Sequence, residues 1–150
     1  MTIEISLTVQ DEALRKALAD PELVAGPVTD FLRRAGFTVE RKAKELAPVD
    51  TGRLRSSIES RAEPPRAIIG TLVTYAPMVE LGTKPHIIVP RYKKALAFNI
   101  GGDRVIVRKV NPPGTRPKPF LRPALEQSRA AIARLLEQAK AQIARRWERG

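Results

Sequence analysis

The sequence predicts an α+β fold: a small, mainly antiparallel sheet packed on a central helix and a long C-terminal helix, with a basic β-hairpin arm. Three observations carry this expectation. Apolar and polar residues alternate over 2–9. Apolar residues recur at steps of three and four over 28–46, and at near-heptad spacing over 121–147. A Gly101-Gly102 pair separates two short apolar runs in a segment crowded with proline and positive charge. Period two marks a half-buried strand, period 3.6 an amphipathic helix, and a tight glycine turn a hairpin.

In chain order, Ile3, Ile5, Leu7 and Val9 form the inner face of the first strand. Residues 11–19 read as a short helix, with Asp11 and Glu12 at its positive end. The central helix is expected over Val28–Leu46, facing its core with Val28, Phe31, Leu32, Ala35, Val39, Ala43 and Leu46. Pro27 suits a helix start and Pro48 marks the stop, while Gly36 weakens the middle by about 1 kcal/mol against Ala. Asp50 and Thr51 are good N-cap residues for a helical turn over 51–57. Two strands, 58–63 and 66–74, are expected across Pro64-Pro65, and a short helix over 75–81 is ended by Gly82. The last helix runs from Pro119 or Leu121 to Arg149, roughly 40–45 Å at about 1.5 Å per residue. Its apolar seam reads Leu121, Leu125, Ile132, Leu136, Ala139, Ile143 and Trp147. A helix of this length can pack along the sheet and also reach a neighbouring subunit.

The 150 residues suit one domain, 1–150, with 84–118 as the arm and 119–149 as the long helix. The chain contains no cysteine, which excludes disulfides, thiolate metal sites and thiol catalysis. No signal peptide or membrane-length apolar run is visible, so a soluble protein is expected. The net charge of +11 is unevenly placed. Residues 1–75 carry 11 basic and 11 acidic groups, whereas residues 76–150 carry 16 and 5. The segment 84–118 holds nine basic residues, Lys84, Arg91, Lys93, Lys94, Arg104, Arg108, Lys109, Arg116 and Lys118, against the single acid Asp103. A +8 segment points to a polyanion nearby, either nucleic acid or an acidic protein face. It would equally keep copies soluble and apart before assembly.

Chemistry is harder to find. His86 is the only histidine and has no cysteine or second histidine with which to share a metal; a strand-entry role suits it. Asp50 and Glu80 stand near glycines, but a turn cap and a salt bridge account for them better than an acid/base pair. The GTKPH segment (82–86) lacks the second glycine and the Lys-Ser/Thr of a phosphate loop. No catalytic residue, metal or cofactor is expected. Tyr92 and Phe98 are too few aromatics for a base-stacking platform, so any contact with DNA should be nonspecific, to phosphate, and salt-sensitive.

Three blocks read together carry a family resemblance: APVDTGRLRSSI (47–58), YAPMVELGT (75–83) and RPKPFLRPALEQ (116–127). In this order they resemble the siphophage tail-component family, the neck or tail-completion proteins encoded between head-closure and tail-tube genes. The likeness spans about residues 28–140. It implies a non-enzymatic structural protein made in the host cytoplasm and placed in the virion, at the neck or tail. There a homo-oligomeric ring, six copies by analogy with related proteins, would join head to tail and let DNA pass. Its partners would be itself, head-closure and tail-terminator or tail-tube proteins, and packaged DNA; no membrane is involved. Interface residues expected on this basis are Asp50, Arg53, Arg55, Tyr75, Glu80, Thr83 and Phe120, with Arg53 and Glu80 a candidate ion pair within or between subunits. Lys84, Arg91, Lys93, Lys94, Arg104, Arg108 and Lys109 would meet the DNA channel or an acidic partner. The alternative is a basic nucleic-acid-binding module, which accounts for the charge but not for the three blocks.

Overall fold

The computed structural model describes residues 1–6, 21–91 and 94–149. The elements are β1 (Thr2–Ser6), α1 (Pro21–Leu46), α2 (Arg53–Ser56), β2 (Glu59–Glu63), β3 (Arg66–Gly70), α3 (Ala76–Leu81), β4 (Leu96–Ile100), β5 (Asp103–Val107) and α4 (Leu121–Trp147). The architecture is α+β, as the sequence predicts. The chain divides into two compact units, Met1–Ala76 with Pro119–Gly150, and Pro77–Lys118. Leu7 and Val9 of the expected first strand, and the expected helix over 11–19, lie outside the described residues.

In the first unit, β3 is the middle of a three-stranded antiparallel sheet in the order β1-β3-β2. The register pairs Ile3 with Ile69 and Ile69 with Ser60. Residues directly opposite share a face. Ala67 and Ile69 are fully buried on the side that packs against α1, while Ile68, between Glu4 and Arg61, stands on the other side. Pro64-Pro65, a cis peptide, joins β2 to β3.

α1 is buried along the stripe Val24, Phe31, Leu32, Ala35, Val39 and Ala43, at helical spacing. The helix starts earlier than expected, at Pro21, with Pro27 inside it. Pro27 gives up one backbone bond, but its ring is buried and continues the stripe between Val24 and Phe31. Gly36 has a spatial reason. A Cβ there would lie 3.3 Å from the Ser60 Cβ and 3.6 Å from the Ala67 Cβ, so glycine is what allows the helix to sit down on β2 and β3. One turn later Glu40 fastens the same contact. Its carboxylate accepts from the Ser60 backbone N–H at 2.9 Å, from the Ser60 hydroxyl, and from Lys44 Nζ at 2.6 Å. Burial raises the Glu40 pKa, but the bonds from Lys44 and Ser60 outweigh it, and the carboxyl titrates below its ordinary value.

α4 packs along α1. The two run antiparallel: a Cβ on Gly26 would lie 3.4 Å from the Arg146 guanidinium, and Phe37 and Leu135 line one shallow hollow. The buried positions of α4 are Leu121, Ala124, Ser128, Ala139 and Ile143. The expected seam is therefore only partly used. Ile132 and Leu136 are half-buried and Trp147 is 54% exposed, whereas the small Ala124 and Ser128 are inside. Small side chains let two helix backbones approach closely, so apolar spacing alone does not name the contact positions.

β3 ends at Gly70, short of the expected 74. Thr71 turns the chain: its buried hydroxyl lies 2.7 Å from the Ser57 hydroxyl and accepts from the Val73 N–H at 3.1 Å. These side-chain bonds replace the ladder that a longer strand would have continued.

Gly36→Val should destabilise the protein by about 1–3 kcal/mol through overpacking, despite valine's better helix propensity; urea unfolding measures this. Glu40→Gln should cost about 1–2 kcal/mol at pH 7, since charge-assisted bonds are lost. Because the folded-state pKa is lowered, the wild-type advantage is present above the unfolded carboxylate pKa, about 4.3, and is lost as pH falls through the folded-state value. The gap between the two proteins should therefore close in acid, and a pH-independent gap would contradict the assignment.

Candidate functional site

The second unit is an excursion whose two limbs are stitched together before the hairpin begins. Thr83 and Thr115 exchange backbone bonds of 3.0 and 3.1 Å, with their hydroxyls 3.1 Å apart. Ile88 and Val110 exchange bonds of 2.8 and 3.0 Å. The Lys118 N–H donates to the Val79 carbonyl at 2.8 Å. Glycine permits the first stitch. Gly82 has φ 72°, and a Cβ there would lie 2.5 Å from the Thr115 carbonyl oxygen; a Cβ on Gly114 would collide with that of Thr83.

Beyond the stitches, β4 and β5 form the expected hairpin across Gly101-Gly102, both at positive φ as the favoured two-residue turn requires. Leu96 faces Val107, Phe98 faces Val105 and Ile100 faces Asp103, so one face is apolar except for the carboxylate beside the turn. Ala97 and Asn99 face Ile106 and Arg104 on the other. Ile100 is 61% exposed and Phe98 is also exposed, and on the opposite face Ile106 is 62% exposed. Lys84, Arg91, Lys94, Arg104, Arg108 and Lys109 are all exposed, and none pairs with a carboxylate among the described residues. Lys93, with Tyr92, lies outside the described residues.

The first unit carries a different surface. The outer face of its sheet, α2 and the 71–75 segment enclose an open hollow of about 670 Å³. Arg53 and Tyr75, both expected interface residues, line it together with Ile68, Thr71, Leu72 and Val73. Leu72 is 99% exposed. Asp50 and Arg55 are exposed nearby in sequence. The expected cap by Asp50 or Thr51 is replaced: Gly52, at φ 79°, is the N-cap of α2, with no side-chain capping bond. Thr51 Oγ1 reaches only the Arg53 N–H, at 3.5 Å.

The remaining expected interface residues are placed differently. Glu80 is buried, Thr83 is half-buried in its bridge, and Phe120 is fully buried where α4 begins. His86 is exposed, its Nδ1 3.1 Å from the Lys84 carbonyl oxygen, without the strand expected to follow it; only Ile88 bridges. Among the described residues, no three His, Cys, Asp or Glu side chains gather as a metal site, and every buried side-chain N or O has a partner. No described helix is long and apolar enough to cross a membrane. Sequence reasoning missed Leu72, Ile68 and the two-faced character of the hairpin. Strand register would have found the last; the turn at Thr71 that throws Leu72 outward leaves no mark in the sequence pattern.

Residues 11–82 match the HK97-gp10-like family model, described as "Bacteriophage HK97-gp10, putative tail-component". The matched span holds the 47–58 block and ends within the 75–83 block; the 116–127 block, the hairpin and α4 lie beyond it. No curated protein and no solved structure matches the chain.

Gly82→Ala should force the two limbs apart at Thr83 and Thr115. Hydrogen exchange should show both amides losing at least tenfold protection, while the Ile69 amide in β3 keeps its own. Unchanged protection at Thr83 and Thr115 would contradict the close-approach argument.

Proposed function

We propose, from the siphophage tail-component family that the match over residues 11–82 supports, that this phage structural protein forms a ring in the neck or tail-completion region. Six copies surround the path of DNA and join head to tail. The work is binding alone, with no catalysis and no cofactor. A heterologous contact repeated around a closed symmetry axis generates such a ring from one kind of interface.

The observation that carries this reading is the separation of charge. Residues 1–75 are neutral and include the sheet and central helix, while 84–118 carry +8, and every basic side chain among the described residues of that segment is exposed. Six copies would place roughly +48 near the axis or against an acidic neighbouring ring. Lys84, Arg91, Lys93, Lys94, Arg104, Arg108 and Lys109 would make those contacts, to phosphate or to carboxylates. Asp50, Arg53, Arg55, Tyr75, Glu80, Thr83 and Phe120 would form or support the subunit interface, with head-closure and tail-terminator or tail-tube proteins above and below.

The same charge favours a second reading, a nucleic-acid-binding module. Light scattering and a gel-shift titration separate the two. The ring reading predicts concentration-dependent assembly to six times the monomer mass, with DNA binding that is weak in the monomer and falls steeply with salt. A chain that stays monomeric at high concentration yet binds DNA tightly would favour the module.

A further inference from the structure

The hairpin presents an apolar face, Leu96, Phe98, Ile100, Val105 and Val107, of which Phe98 and Ile100 are exposed. An isolated two-stranded hairpin is at best marginal in water, and becomes stable when its apolar face is covered. The open sheet face of the first unit offers a hollow of about 670 Å³ lined by the apolar Ile68, Leu72, Val73 and Tyr75, alongside two acidic and two basic side chains. Leu72 has almost its whole surface in solvent. Apolar side chains grouped on a surface, rather than scattered singly, mark interaction sites.

We propose that the apolar face of the hairpin seats on the open sheet face of a second copy of this chain. Charge selects this pairing. Hairpin against hairpin would bring one +8 segment onto another, whereas the sheet face belongs to the half of the chain with equal numbers of acidic and basic groups. Within the hollow Glu59 and Glu63 are balanced by Arg53 and Arg61, with Glu63 3.7 Å from the Arg61 guanidinium, so the face presents no net positive charge to repel the hairpin. The contact is heterologous, because the hairpin of one copy meets the sheet of the next, and each copy keeps one of each surface free to continue the series. The inference rests on the ring reading and gives it a specific interface.

The absence of native cysteine makes the test clean. F98C and L72C, each a single substitution in a separate full-length chain, are mixed and oxidised mildly. The F98C–L72C disulfide-linked pair should form at least fivefold more than the A97C–L72C pair, since Ala97 lies on the opposite hairpin face. Equal yields, or preferential F98C–F98C pairing, would overturn the proposal. Electron microscopy of the same samples separates the two ideas. Rings without the F98C–L72C product overturn this contact and leave the ring standing. The product without rings overturns the ring and leaves the contact, and neither product nor rings overturns both.

Discussion

The seating of α1 on the sheet at Gly36 is the constraint on which the first unit depends. A glycine in mid-helix costs helix stability, yet it lets the helix approach Ser60 and Ala67 closely enough to bury Ala35, Val39, Ala67 and Ile69 together. Glu40 then ties the helix to β2 through Ser60. With α1 fixed, its flank receives α4 through small residues, and the chain leaving β3 turns at Thr71 against Ser57. That turn places Leu72 and Tyr75 beside the outer sheet face. The open hollow is thus a consequence of how the opposite face of the sheet is packed.

Much of this was legible in the sequence where one kind of information sufficed. The three-four spacing of Phe31, Leu32, Ala35, Val39 and Ala43 identified the core stripe of α1, and the glycine pair at 101–102 identified the hairpin turn. The departures have a common physical origin: they depend on partners distant in the chain. Pro27 resembled a helix boundary because its missing N–H is local, while the burial of its ring is not. Gly36 resembled a weakness because Ser60 and Ala67 are invisible from position 36. In α4, hydrophobic ranking favoured Trp147 and Ile132 over Ala124 and Ser128, but close helix approach selects by size. The basic residues of the candidate site could be counted from sequence; which hairpin face each occupies needed the register.

The charge division gives the fold its functional sense. Residues 1–75, with the sheet and the central helix, carry no net charge, the last helix is moderately basic, and the compact, stitched excursion holds most of the +11. The match of residues 11–82 to a phage tail-component family model is compatible with a partner of opposite charge, as the proposed ring would supply. The most direct test of this account is a cryo-electron-microscopy reconstruction of the phage neck and tail end. The account predicts a six-fold ring of this chain in which residues 84–118 face the central axis or an adjoining ring. A ring in which that segment points outward into solvent, or a particle that lacks the chain altogether, would contradict it.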